Sequence, residues 1–183
     1  RHQNKYLIEI DQLYFDSFFK KLSMYKLRSK VEISLQANFL SFVIFQELGL
    51  IKDELTYIYN DPRHHKIGLR LYINKDSINL KKLNELKKIN YDSYRELLMQ
   101  HVIPNSTFDL SQNKSLLLEN NFQNINAIDW EKGCYVGQEL TARMKYRALL
   151  KKKIYTLKIT TGNIEVSDKL FNDQIEIGEV ISK

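Results

Sequence analysis

The sequence contains a single cysteine, Cys134, in a short segment whose residue types favour an accessible thiol. Gly133 and Gly137 on either side carry no side chains, so backbone or a ligand can approach the sulfur closely. Lys132 stands two positions before the cysteine, and a nearby ammonium favours the thiolate, the form that acts as a nucleophile or a metal ligand. The segment therefore predicts a sulfur able to do chemistry at neutral pH.

A lone cysteine also has a second interpretation, because free cysteines are among the most buried residues and pack as small hydrophobic side chains. Tyr135 is equally typical of a packed aromatic residue, and Gln138 and Glu139 are typical of a solvated pair at the start of a helix. The residues by themselves leave both interpretations open. One cysteine excludes an intrachain disulfide and an all-cysteine metal site in one chain, and this usage fits a reducing compartment.

The combination of these residues resembles a known signature. Residues 132–139 read Lys-Gly-Cys-Tyr-x-Gly-Gln-Glu, with Arg143 and then Tyr146-Arg147 after them. This run is similar to the signature of the YgfZ family of folate-binding proteins, a branch of the glycine-cleavage T-protein superfamily. Seven of the eight positions are specified residues.

Further pieces of the resemblance lie upstream in the same order. Residues 25–31 resemble the family's helix-to-strand junction, and Asp61-Pro62-Arg63 with Gly68 and Arg70 resembles another family block. The similarity covers nearly the whole chain but begins inside the family's first domain, so we expect an N-terminal segment to be absent. Four positions depart from the family's usual Arg, Gly, Pro and Gly: Leu98, Val102, Leu117 and Ala148.

The resemblance implies a tetrahydrofolate-binding factor for assembly or repair of iron-sulfur clusters in client enzymes, including enzymes that modify tRNA. It implies Cys134 as the catalytic residue. Partners would be iron-sulfur scaffold or client proteins, together with folate. One thiolate cannot hold a cluster, since iron-sulfur centres take about four protein ligands, so a partner supplies the others or the thiol acts transiently. The residues implied to bind the cofactor are Lys132, Gly133, Tyr135, Gly137, Gln138, Glu139 and Arg143.

Two other functions remain open from the sequence. An aminomethyltransferase or another folate-dependent one-carbon transferase follows from the same superfamily, because one fold hosts several activities. A decayed gene fragment without activity is the third interpretation. We expect an accessory factor that works through partner proteins rather than a free-standing enzyme.

The hydrophobic pattern predicts an α+β fold, with an antiparallel sheet covered on one face. The resemblance implies a T-protein-like fold with a central folate pocket, followed by a C-terminal β-barrel. We accordingly assign residues 1–148 to a folate-binding domain that is incomplete at its N-terminus, and residues 149–183 to part of the barrel. The predicted strands are 6–10, 31–35, 39–45, 55–59 and 69–73, the predicted helices follow Asp11 and span 76–89 and 91–102, residues 106–121 are a predicted loop, and the region from 154 is predicted to be β-rich.

Composition narrows the class of protein. Hydrophobic residues at 43% and charged residues at 27% are typical of soluble domains, and no stretch reaches the roughly 20 apolar residues of a membrane span. We expect a cytoplasmic protein in a bacterium, or a mitochondrial matrix protein in a eukaryote, without a membrane partner.

His64 and His65 lack neighbouring ligands at zinc spacing, so no metal site is predicted. The absence of Walker and Gly-x-Ser-x-Gly motifs disfavours nucleotide hydrolysis and serine esterase chemistry.

A basic run near the predicted domain boundary has several interpretations. It is either a solvated linker or a patch for the polyglutamate tail of folate, a tRNA backbone or an acidic protein. Tyr146 is the only aromatic residue within it, so direct RNA recognition is not favoured. The six cations fall within eleven residues and are Arg143, Lys145, Arg147, Lys151, Lys152 and Lys153.

Overall fold

A computed structural model describes residues 5–51, 53–147 and 149–183. The chain divides into two compact units, residues 1–38 and residues 39–183. The domain boundary predicted from the sequence falls at Ala148, outside the described residues, and stays a prediction. No helix within the described ranges is long and apolar enough to cross a bilayer. The elements are α1 Phe15–Tyr25, β1 Phe39–Ile44, β2 Thr56–Asn60, β3 Leu69–Asn74, α2 Leu80–Asn84, α3 Tyr91–Gln100, α4 Gln138–Tyr146, β4 Lys169–Asn172 and β5 Ile175–Glu179.

The first unit is built on one helix. Asp11 caps its start, because a carboxylate oxygen of Asp11 accepts a hydrogen bond of 2.9 Å from the Leu13 amide, and the 3-10 turn Gln12–Tyr14 leads into α1. This confirms the helix predicted after Asp11. The strands predicted at 6–10 and 31–35 are wrong, since neither range forms a strand. An alternating segment becomes a strand only where a neighbouring strand pairs along it, and no sheet forms within the described part of this unit.

The second unit contains a three-stranded antiparallel sheet with the order β1-β3-β2. The central strand β3 pairs Leu69 with Ile44 of β1 and with Asn60 of β2. Leu71 and Ile73 are fully buried on its covered face, because alternate residues of a strand point to the same side. The strands predicted at 39–45, 55–59 and 69–73 are confirmed, with ends that differ by one residue.

Helix α3 packs over a second part of the core. The Asn90 side chain accepts a hydrogen bond of 2.8 Å from the Ser93 amide and caps the helix, as expected where an apolar stripe follows a polar residue. Tyr94 and Leu98 are buried in a cluster completed by Ile67, Ile103 and Ile125. The helix predicted over 91–102 is confirmed, and it stops at Gln100, four residues before Pro104.

The helix predicted over 76–89 is much shorter than expected. Only α2, Leu80–Asn84, is helical, because Asn79 before it is buried and bonds to a distant loop instead of continuing the helix backwards. Its amide side chain accepts a 2.9 Å hydrogen bond from the Ile51 amide and donates one of 2.8 Å to the Ile51 carbonyl. Side chain to backbone bonds of this kind compete with helical backbone bonds.

The C-terminal region contains less β-structure than predicted. Strands β4 and β5 form an antiparallel hairpin, whereas residues 149–160 contain no strand. The Ile154 amide donates a 2.8 Å hydrogen bond to the Glu119 carbonyl, so this backbone is bonded to the loop at 106–121 instead of to a neighbouring strand. Leu157 and Ile159 are exposed. The β-barrel implied by the family resemblance stays a prediction.

Candidate functional site

The turn between β2 and β3 is fixed by a buried ion-pair cluster. Asp61 is buried, and its carboxylate accepts hydrogen bonds from the Arg63 amide at 3.0 Å, from Arg63 Nε at 3.0 Å and from Arg63 Nη2 at 2.7 Å. Burial by itself raises the pKa of Asp61, but the Arg63 hydrogen bonds and the charges of Arg63 and Arg70 outweigh it, so the net pKa lies below the usual value. This cluster holds the block that resembles the family's Asp-Pro-Arg motif.

The same turn is tied to the chain that leads to the cysteine. The Asn126 side chain donates a 2.8 Å hydrogen bond to the Pro62 carbonyl, eight residues before Cys134. One carboxylate oxygen of Asp129 then accepts hydrogen bonds from the Glu131 amide at 2.9 Å and the Lys132 amide at 3.2 Å. These Asx-type bonds turn the backbone into Gly133. The chain that enters the thiol segment is therefore held on its N-terminal side by bonds between side chains and backbone groups.

Cys134 is exposed to solvent, which agrees with the accessible and not with the buried interpretation of the sequence. A β-carbon built at Gly133 meets no atom within 4 Å, so the approach to the sulfur from this side is open. After the cysteine the chain makes a tight turn, in which the Gln138 amide donates a 3.1 Å hydrogen bond to the Tyr135 carbonyl. Gly137 has φ +88° and ψ −2° there, the conformation of the third residue of a type II turn, which favours glycine.

Tyr135 organises the cofactor-binding residues that the resemblance implied. Its amide donates a 3.3 Å hydrogen bond to the Gln138 side chain, and the Lys132 ammonium lies 4.5 Å from the centre of its ring. Lys132 was expected to lie beside the thiol, and it is found over the face of Tyr135. The Tyr135 hydroxyl is buried and has no hydrogen-bond partner among the described residues. A buried hydroxyl without a partner is costly unless a water or ligand satisfies it.

Helix α4 anchors the thiol segment, residues 132–139, to the core. Thr141 and Met144 are buried, and the Thr141 hydroxyl donates a 3.0 Å hydrogen bond to the Gly137 carbonyl. On the exposed side, Arg143 and Glu139 form an ion pair of 2.5 Å one helical turn apart. Two residues implied to bind a cofactor thus bind each other. An exposed pair of this kind contributes little to stability and can open to a ligand.

A cation held on aromatic rings lies beside the thiol segment. The Lys145 ammonium is 3.8 Å from the centre of the Trp130 ring and 5.4 Å from that of Tyr146, and the two rings meet edge to face at 6.2 Å. Trp130 precedes the cysteine by four residues and Lys145 follows it by eleven. The contact therefore closes the loop that carries Cys134 onto the C-terminal half of α4.

Three histidines stack between the β2–β3 turn and the end of α3. The His64 ring lies 4.6 Å from that of His65 and 4.1 Å from that of His101, and its Nδ1 accepts a hydrogen bond from the Lys66 amide. Desolvation, followed by the charges of His101, His65 and Lys66, lowers the pKa of His64. Within the described ranges no three His, Cys, Asp or Glu side chains are arranged to hold a metal ion.

Comparison with known proteins gives this geometry a context. The chain is 30% identical over 164 residues to the mouse "Iron-sulfur cluster assembly factor IBA57, mitochondrial", covering 84% of this chain and 45% of that protein. It is 27% identical over 176 residues to the homologue from Dictyostelium discoideum (88% and 43%) and 25% identical over 162 residues to the human protein (84% and 45%). The chain is similar to iron-sulfur cluster assembly factors.

The matches cover different shares of this chain and of its relatives. The chain spans slightly less than half the length of the relatives it matches, and most of the chain is included in each match. No protein-family model matches the chain.

The structure brings some of the predicted residues together and adds others. Lys132, Tyr135 and Gln138 are in mutual contact through Tyr135, whereas Glu139 and Arg143 pair separately on α4. Trp130 was not among the predicted site residues. Its position two residues before Lys132 was the only available signal, because its contact with Lys145 spans fifteen residues and leaves no trace in local spacing.

Proposed function

We propose that this chain is part of an iron-sulfur cluster assembly factor, in which Cys134 supplies a thiolate ligand to a cluster held jointly with a partner protein. The main support for the proposal is the exposed thiol on a turn. Only a sulfur at the protein surface can bind a cluster that another protein also holds. Similarity to mitochondrial assembly factors supports the role and a mitochondrial matrix location. The cluster is the cargo in this function, not a resident cofactor.

The chemistry of the ligand set requires the partner. Iron-sulfur clusters take about four protein ligands, mostly thiolates, and this chain has one cysteine. Binding iron releases the thiol proton, since the thiolate is the metal ligand. A scaffold or client protein would supply the remaining ligands, and enzymes that modify tRNA are the client class we propose from the family resemblance.

A cluster-transfer experiment tests the role of the thiol. A purified scaffold protein loaded with iron and sulfide is mixed with the chain, and iron, sulfide and both proteins are measured in the fraction where they co-elute. The wild-type chain is expected to co-elute with iron and scaffold, whereas the Cys134→Ser chain is expected to elute without iron. Val136→Ala is the matched control, because Val136 is fully exposed two residues away and contributes no ligand. Equal iron with Cys134→Ser would refute the role.

We propose further that the thiol segment binds tetrahydrofolate, which carries one-carbon units when bound. The residues present fit part of this ligand, because the buried Tyr135 hydroxyl lacks a partner among the described residues and can bond to a polar heterocycle. Lys132 and Arg143 are cations suited to the carboxylates of the glutamate tail, although Arg143 must first leave Glu139. Gly133 and Gly137 leave space for close approach of the ligand.

Calorimetric titration with tetrahydrofolate tests this second proposal without any activity assay. Wild-type chain is expected to bind, and Tyr135→Phe, which removes only the hydroxyl, is expected to bind about 2- to 12-fold more weakly, the worth of one hydrogen bond. Absence of binding by the wild-type chain, or unchanged affinity of Tyr135→Phe, would contradict it. Turnover of a one-carbon substrate by the chain would favour an aminomethyltransferase-type enzyme instead.

A further inference from the structure

The contacts around Trp130 form a surface of rings and cations that neither proposal above uses. We name the ring-cation surface as Trp130, Lys145 and Tyr146, with Arg147 next to them. The Lys145 ammonium lies 3.8 Å from the centre of the Trp130 ring, and Tyr146 is 72% exposed. The sequence alone placed a single aromatic residue in the basic run. Folding adds the chain's only tryptophan to it.

The charge of this part of the chain is strongly positive. Residues 129–153 contain seven Lys and Arg against three carboxylates, and the whole chain has a net charge of +6. One of the carboxylates, Glu139, is paired with Arg143, and another, Asp129, accepts two backbone hydrogen bonds. Lys151, Lys152 and Lys153 follow Arg147 within six residues of sequence, so the basic run continues beyond the ring-cation surface.

Rings next to cations fit one class of polyanion better than the others. A polyglutamate tail or a peptide of acidic residues offers carboxylates for the cations but no aromatic ring that could stack on the exposed tyrosine. A single-stranded nucleic acid offers both, because phosphates follow the cations while bases stack on aromatic side chains. The Lys145 ammonium is 5.4 Å from the Tyr146 ring centre, so a charge for the backbone and a platform for a base lie side by side.

We propose that the ring-cation surface binds single-stranded nucleic acid. Tyr146 provides the stacking platform, and Lys145, held by Trp130, contacts an adjacent phosphate together with Arg147. The cation-ring contact fixes the lysine before binding, so less side-chain entropy is lost when the phosphate arrives. This activity goes beyond cluster assembly and does not use the Cys134 sulfur.

Trp130 is a built-in probe for the experiment, since it is the chain's only tryptophan. Its fluorescence is measured while oligouridine and oligothymidine of about 12 nucleotides are added, a length within the roughly 4–16 nucleotides that one single-strand module covers. We expect quenching that saturates, and an affinity that falls with salt by about 0.7 log unit per log unit for each phosphate contact. Comparing the two oligomers distinguishes RNA from DNA as the source of the strand.

Variants on and off the surface locate the site. Tyr146→Ala is expected to weaken binding about tenfold, as loss of one stacked base does, and Lys145→Ala is expected to weaken it and reduce the salt slope by about 0.7. Lys75→Ala removes one exposed charge in the turn after β3, and Tyr59→Ala removes a partly exposed ring on β2, so both should bind like wild type. Labelled oligomers followed by anisotropy confirm affinities, and circular dichroism confirms folding.

Several outcomes would overturn the proposal. No quenching by either oligomer at low salt would do so, as would unchanged binding by Tyr146→Ala and Lys145→Ala together. Equal binding of polyglutamate would assign the surface to an acidic protein or folate tail. Cys134→Ser should bind the oligomers like wild type, so failure of this proposal is distinguishable from failure of the role proposed for the thiol.

Discussion

Replacing Asp61 by alanine should lower the free energy of unfolding by about 3 kcal/mol at pH 7. The carboxylate side chain is 1% exposed and accepts three hydrogen bonds from Arg63. Its removal leaves Arg63 and Arg70 without the carboxylate that they share. Removing one partner of a buried ion pair lowers the free energy of unfolding by roughly 3–5 kcal/mol. We take the lower end because the side chains of Arg63 and Arg70 are 29% and 20% exposed and keep some water.

Urea unfolding followed by circular dichroism measures this difference, with Asp76→Ala as the matched control. Asp76 is exposed in the turn after β3, so its loss should change the free energy of unfolding by less than about 0.5 kcal/mol. Because the folded pKa of Asp61 is lowered, its contribution is present above the usual aspartate pKa and is lost as pH falls through the folded pKa. The wild-type and Asp61→Ala curves should therefore converge in acid. Equal stability of the two proteins at pH 7 would refute this reasoning.

Three further outcomes follow from the backbone and the histidine stack. Gly137→Ala should lower the free energy of unfolding by about 1 kcal/mol because its φ is +88°, whereas Gly133→Ala, whose new β-carbon meets no atom within 4 Å, should be nearly neutral in the same urea assay. Val102→Gly should raise it by about 0.5–1 kcal/mol, because a β-branched residue there has φ +52°; a lower value would contradict the assignment of strain. His101→Gln should raise the pKa of His64 in an NMR titration, since a neighbouring positive charge is removed; an unchanged or lower pKa would exclude the coupling.

The sheet could be predicted because its pattern is local. Leu69, Leu71 and Ile73 alternate along one strand, and burial of the covered face follows from the strand period of two. The same alternation over 31–35 produced no strand, since a strand also needs a neighbour that sequence periodicity does not supply. The short α2 was missed for a related reason, because the bonds of Asn79 reach back to Ile51.

The candidate site could be predicted where backbone chemistry decides it. The two glycines indicated an open thiol, and the structure places Cys134 at the surface. Side-chain positions were less predictable: Lys132 is found over Tyr135, and Trp130 reaches Lys145 across the turn and most of α4. The family resemblance marked Val102 as a position where glycine is usual. Its positive φ gives the physical reason, because the end of α3 takes a left-handed residue there.

The sulfur of Cys134 is proposed to bind iron of a cluster that is shared with another protein. Cys134→selenocysteine labels this one position, and selenium X-ray absorption is recorded after mixing with an iron-sulfur-loaded scaffold protein. We expect iron as a direct neighbour of selenium, since the chain's only thiol position would be a cluster ligand. A spectrum in which selenium has carbon neighbours and no iron, under conditions where the scaffold keeps its cluster, would contradict it.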